Sequence, residues 1–233
     1  MDWIDEAKKI IGRALDENRN LFEYEAKKIV GLIGIPIPKN RFIPIDELDK
    51  EIELDFDPPY VVKIVSRDII HKTDVGGVIL DVSREELGYA IDKLFKNVRE
   101  KAGDVHLDGV LIEEMAEKGV ETIVGLTRDP QFGPVVMFGL GGVFVEIYRD
   151  VAFRLAPLDL DEALDMVKEV KAYQILKGYR GQPPSDIEAI ASTIVKVGEL
   201  GYRIKEIKEI DINPLMVYPK GVLAIDVRII LGV

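Results

Sequence analysis

Cysteine is absent from all 233 residues, which excludes disulfides, zinc–thiolate sites and thiol nucleophiles. Histidine occurs only at His71 and His106, too few for a histidine-built metal centre. No uninterrupted apolar run approaches the ~20 residues that cross a bilayer. The acidic start, with Asp2, Asp5 and Glu6, lacks the basic and apolar regions of a secretion signal. A cytoplasmic location with no membrane partner is the resulting expectation. No Walker A sequence occurs, so a nucleotide would have to be held in some other way. Positive charge is in the minority: 31 lysines and arginines against 42 aspartates and glutamates leave a net −11. That balance argues against nucleic acid as a partner. It leaves a phosphate ligand open, because a few lysines and backbone amides override the net field locally.

What is present describes an ordinary globular chain, 47% hydrophobic and 31% charged, long enough for one large domain or two lobes. Apolar spacing predicts helices over 4–15 and 23–33, the second stopped by Gly34 and Pro36. Residues 48–59 are acidic and end in prolines, a connector. Strands are expected at 60–65 and 78–82, then a helix opened by Ser83 and Glu86 and closed near Gly103. Further strands follow at 109–115, 121–127, 135–138 and 144–148. Helices are expected over 159–173 and 185–200, the latter opened by Ser185 and Glu188. A hairpin closes the chain, 206–217 and 222–230 around Pro219-Lys220-Gly221. The pattern gives two mixed α/β lobes joined near 113–115, and not a doubly wound sheet.

Chemistry concentrates in three places. Lys63 sits in an otherwise apolar strand, where its desolvation calls for an anion, although an edge lysine could also reach water. The loop His71-Lys72-Thr73-Asp74-Val75-Gly76-Gly77 adds a second lysine and two glycines, whose amides could form an anion-binding concavity. His71 could accept a proton, a metal or a phosphoryl group. No second histidine or cysteine completes a metal site, and Lys72 would favour a phosphorylated form. In Glu209-Ile210-Asp211-Ile212-Asn213-Pro214, alternation puts Glu209, Asp211 and Asn213 on one face, with Asp226 across the hairpin. Such oxygen ligands suit Mg²⁺, although a solvated acidic face reads the same way. Phe138-Gly139-Leu140-Gly141-Gly142 is a glycine-rich turn between strands, followed by Glu146, Arg149, Asp150 and Arg154. His106 stands apart and reads as a surface or capping residue.

Taken in order, several motifs resemble one family. They are Gly34-Ile35-Pro36, Val61-Val62-Lys63, His71 through Val78, Phe132-Gly133-Pro134, Gly139-Leu140-Gly141-Gly142 and Asp211-Ile212-Asn213-Pro214. Together they resemble the ATP-grasp β subunit of the ADP-forming acetyl-CoA synthetases, among the NDP-forming acyl-CoA synthetases, over about residues 21–233. The resemblance implies an ATP-grasp fold of the α/β (α+β) class, with nucleotide bound between two lobes, 22–112 and 1–21 with 113–233. It implies an acid–thiol ligase: acyl-CoA, ADP and phosphate give the acid, ATP and CoA. His71 matches a phosphoryl-carrying histidine, and Lys63 a phosphate-contacting lysine, with Lys72, Gly76 and Gly77 beside it. Glu113, Glu114 and Met115 match a hinge that reads adenine, and Glu121 an acidic residue near the ribose. Asn213 and Asp226 match Mg²⁺ ligands, with Asp211 standing where relatives often carry Glu. Arg128, Asp129 and Arg154 fall in the motif blocks without assigned contacts. The chain lacks a CoA-binding Rossmann domain, so the resemblance implies an α subunit carrying another active histidine, in an α2β2 heterotetramer. A succinyl-CoA synthetase-like subunit, another ATP-grasp ligase and a nucleotide sensor are the alternatives.

Overall fold

A computed structural model describes residues 3–69, 71–142, 150–179, 181 and 183–232. They form two compact units, Pro38–Glu117 and a larger one of Met1–Ile37 with Lys118–Val233. The larger unit begins with helix α1 (Trp3–Asp16), whose Ala7, Ile10, Ile11 and Ala14 make one buried stripe. Helix α2 (Glu23–Leu32) stops where expected, at Gly34 with φ +74°. Its polar residues are not the solvated face their sequence suggests. Glu23 and Lys27 are both buried and lie 2.9 Å apart, one turn from each other. Arg19 forks onto Glu25 at 2.6 and 2.9 Å. Burial opposes the Arg19 charge, yet hydrogen bonds and charges from Glu25 and Glu17 outweigh it and raise its pKa. Ala26, Ile29 and Val30 join the core of the larger unit, so α2 belongs there and not to the first lobe of 22–112. The 113–117 segment moves the other way, into the smaller unit.

The smaller unit is a four-stranded antiparallel sheet of order β1-β4-β2-β3 beneath one helix. The strands are β1 (Asn40–Pro44), β2 (Tyr60–Val65), β3 (Val78–Val82) and β4 (Gly109–Glu114). Helix α3 (Leu87–Ala102) covers them with Leu87, Ala90, Ile91, Leu94 and Val98. Strand β2 is buried along its whole length, as its apolar sequence requires everywhere but at Lys63. Strand β1 carries too few apolar residues to be read in advance, and it forms by pairing with β4.

The larger unit continues with β5 (Val120–Asp129), β6 (Gly133–Leu140), β7 (Val151–Leu155), α4 (Leu160–Glu169), α5 (Tyr173–Leu176), α6 (Ile187–Arg203), β8 (Ile207–Val217), β9 (Val222–Ala224) and β10 (Val227–Leu231). Its sheet runs β10-β8-β5-β6-β7, with β9 also on β8, and the paired strands are antiparallel. Helix α6 packs on β5, β6 and β8, and α4 packs on α6 and β7. The α+β class therefore stands. The helix expected over 159–173 ends at Glu169, and α6 is capped by Asp186, whose carboxylate accepts the Ala189 amide, rather than by Ser185. The final hairpin is interrupted at Ile225 and Asp226. The strand expected at 144–148, with Glu146 and Arg149, lies outside the described residues.

Candidate functional site

In the smaller unit, Lys63 stands opposite Leu111 and Val61 opposite Glu113, so Lys63 and Glu113 are diagonal neighbours on one sheet face. Their charges lie 2.8 Å apart, and the two residues are 5% and 2% exposed. Lys63 is thus a buried cation and not a lysine that reaches water. The Glu113 side chain faces this lysine, a contact the hinge assignment did not foresee. At Glu114 and Met115 the backbone amides are committed, to Lys39 O at 2.9 Å and Pro59 O at 3.0 Å. Neither of these two amides is open to a nucleotide base.

The segment after β2 is a closed loop. Ile64 N–H donates to Gly77 O at 2.8 Å, so the far end returns to the strand from which the loop left. A Cβ at Gly77 would lie 2.6 Å from Ile64 Cγ2 and 3.0 Å from Lys72 O, which leaves room only for glycine. The expected anion concavity is not how the two glycine amides are used. Gly76 N–H donates to Thr73 O and Gly77 N–H to Lys72 O, at 3.0 and 2.7 Å. The glycines close the turn, and the turn presents His71 exposed and Lys72 half-buried.

In the larger unit the register sets out one sheet face in rows. Phe153, Met137, Gly125, Asp211 and Arg228 are successive partners across β7, β6, β5, β8 and β10. Leu155, Val135, Thr127, Glu209 and Ile230 form the next row. Their neighbours in sequence point to the buried core under the helices, so these rows lie on the opposite face. It is apolar at the β7 end and charged at the β8–β10 end. Burial raises the pKa of Asp211, Arg228 opposes this from 3.4 Å, and the charges of Asp226 and Glu209 raise it further. Asn213 N–H donates to Asp226 O at 3.1 Å, which brings those two residues together where the hairpin is interrupted. The sequence reading missed Arg228, although it stands only two residues beyond Asp226, in β10.

This donor set is hard oxygen in a field of mutual carboxylate repulsion, which a divalent cation would relieve. Among the described residues no three or more Asp, Glu, His or Cys side chains converge to hold a metal by themselves. Mg²⁺ commonly completes its shell with phosphate and water, so two protein ligands suffice. Glu121, exposed on β5, lies under the glycine-rich turn: Gly141 N–H donates to Glu121 O at 2.8 Å, and a Cβ at Gly141 would sit 3.0 Å from Glu121 Cβ.

The remaining motif residues have structural roles. Arg128 donates to Gly201 O, Ile204 O and Ile207 O, closing the carbonyl end of α6. Asp129 accepts the amides of Gln131 and Phe132 in the β5–β6 turn. Arg154 pairs with Glu169 at 2.7 Å.

Residues 13–231 match the ATP-grasp domain. The chain is 49% identical to the I subunit beta of the ADP-forming acetate–CoA ligase of Pyrococcus furiosus, over 99% of this chain and 100% of that one. It is 41% identical to an ADP-forming acetate–CoA ligase I of Archaeoglobus fulgidus, over 98% of this chain but 33% of that longer one. Among solved structures, an acetyl-coenzyme A synthetase 1 of Candidatus Korarchaeum cryptofilum superposes with TM-score 0.82 at 43% identity, covering 97% of this chain and 100% of that one. That structure holds coenzyme A and Mg-AMPPCP, with a phosphohistidine segment pointing towards its nucleotide-binding site. No described helix is long and apolar enough to cross a membrane.

Proposed function

The chain belongs to the ATP-grasp family of ADP-forming acetate–CoA ligase β subunits, and on that premise we propose that it handles the nucleotide and carries a phosphoryl group through His71. The overall reaction is acyl-CoA, ADP and phosphate to free acid, ATP and CoA. A CoA-binding α chain supplies the acyl chemistry and a phosphohistidine, in an α2β2 assembly. Turnover requires both chains.

A ring nitrogen of neutral His71 attacks the phosphorus of the partner's phosphohistidine. The new N–P bond forms as the old one breaks, and the partner's imidazole leaves with the electron pair. A terminal oxygen of ADP then attacks the same phosphorus, and the His71 N–P bond breaks to return the free imidazole. Lys63 and Lys72 offset phosphate charge during both displacements. Gly76 and Gly77 serve by closing the turn that presents His71. Glu121 lies toward the ribose, and Glu113, Glu114 and Met115 toward the base. Asn213 and Asp226, with Asp211 beside them, would hold Mg²⁺, whose charge favours the polyphosphate.

The observation that carries this reading is the exposed His71 on a closed, glycine-locked loop rooted in the strand that holds Lys63. In the assembled complex, His71→Ala should leave Mg-nucleotide binding within about twofold of wild type while ATP formation falls at least a thousandfold, as for loss of a covalent carrier. Wild-type ATP formation by this variant would end the reading.

A further inference from the structure

We propose that Asp108 and Asp68 are positioning residues for His71, acting through the backbone at the root of its loop. The inference rests on His71 as phosphoryl carrier.

The ladder between β2 and β4 ends at Val65 opposite Gly109, and Asp108 N–H donates one last bond to Val65 O at 2.8 Å. Beyond that point side chains replace the ladder. The Asp108 carboxylate accepts the Arg67 backbone N–H at 2.9 Å and the Arg67 guanidinium at 2.5 Å. The Asp68 carboxylate accepts the His106 N–H at 2.8 Å. Ser66, itself buried, donates its hydroxyl to His106 O at 2.5 Å and accepts the Asp68 N–H at 3.1 Å. Residues 66–68 and 106–108 are therefore stitched side chain to backbone in both directions, with carboxylates as the acceptors for the Arg67 and His106 amides. Bonds of this kind are the strong ones.

The other leg is held more loosely. Asn97 and Lys101 of α3 reach Gly76 O and Asp74 O at 3.4 Å each. Ile69 and Val75 add apolar contacts with the core, one on each leg. The His71 side chain is exposed, so the backbone that carries it sets its position. A carrier must face a donor and an acceptor in line in turn, and displacement by about 1 Å costs on the order of a hundredfold in such a transfer. One carboxylate holds a backbone amide four residues from the imidazole, and the other, three residues from it, is tied to the His106 amide; together they supply that placement. His106 belongs to the same stitch, with Nε2 3.4 Å from Asp108.

The test uses the chain assembled with its CoA-binding partner. Asp108→Ala should lower kcat for ATP formation by about tenfold or more, with KM for ADP within about twofold of wild type. Asp108→Asn keeps an acceptor for the Arg67 amide and should recover most of the loss. Arg67→Ala keeps the amide itself and should cost less than about threefold, as for an exposed ion pair. Wild-type kcat in Asp108→Ala, or a fall in kcat matched by an equal rise in KM, overturns the inference. If Asp108→Ala does not fold, Asp68→Ala carries the same test, and wild-type kcat there overturns it. His71→Ala is run alongside. If it turns over normally the carrier reading has failed; if it is dead while the Asp108 and Asp68 variants are unimpaired, only the positioning role has failed.

Discussion

The Lys63–Glu113 pair allows stability and function to be separated by mutation. Both groups are buried and their charges lie 2.8 Å apart in the middle of the smaller sheet. Removing one partner strands the other charge, a loss of about 3–5 kcal/mol. Replacing both by apolar residues of similar volume removes the desolvation penalty together with the attraction, and such exchanges are often neutral or stabilising by about 1–4 kcal/mol. We therefore expect Glu113→Leu alone to be severely destabilising. Lys63→Met should be destabilising by the same argument. The double variant should be at least as stable as wild type and inactive. A global melting curve mixes the two units, so the assay is native-state hydrogen exchange at β2 and β4 amides. A loss of 3–5 kcal/mol lowers protection there by about two to nearly four orders of magnitude. If the double variant loses as much protection as the worse single one, the pair serves folding, and its retention for a ligand phosphate is refuted.

Two further predictions follow from the larger sheet. The Asp211 carboxyl should titrate above its ordinary range in the nucleotide-free chain, through burial first and the charges of Asp226 and Glu209 next. A carboxyl raised on folding stabilises the fold while protonated, and that contribution is lost as pH rises from 3.8 through the raised folded value. Asp211→Asn should therefore gain stability relative to wild type across that rise, and Mg-ADP should bind it less well. Carbon-13 NMR of the carboxyl checks the titration, and a value of 3.8 or lower contradicts it; calorimetry checks the binding, and unchanged Mg-ADP affinity contradicts that. Arg128→Ala strips the guanidinium from three carbonyls between the end of α6 and the start of β8 and should cost about 2–3 kcal/mol. Its turnover per folded molecule should be unchanged, since the guanidinium is spent on backbone carbonyls.

How much of this was legible depends on whether a residue's surroundings are local. Strand β2 and the stripe of α1 announce themselves by apolar spacing, and Gly34 announces the end of α2. The face with Glu209, Asp211 and Asn213 follows from alternation, whereas Asp226 sits where the hairpin is interrupted, which alternation does not announce. Strand β7 escaped notice because Phe153 and Leu155 are exposed and Arg154 interrupts the apolar run. Lys27 and Glu23 look solvated in sequence, and only tertiary packing makes them a buried pair. The glycines of the His71 loop read as an anion cradle in sequence, but Gly77 is required by Ile64 and Lys72 O and Gly76 lies against Asn97, partners that only the folded loop supplies. The stitch of Asp68 and Asp108 joins segments some forty residues apart, a pairing no local pattern encodes.

The central claim is that the phosphoryl group resides on His71 between donor and ADP. Rapid-quench turnover of the assembled complex with labelled phosphate and acyl-CoA tests it directly. The account predicts an acid-labile, base-stable label on the peptide containing His71, appearing before ATP and discharged to added ADP at least as fast as turnover. ATP forming at full rate while His71 never carries the label would contradict it.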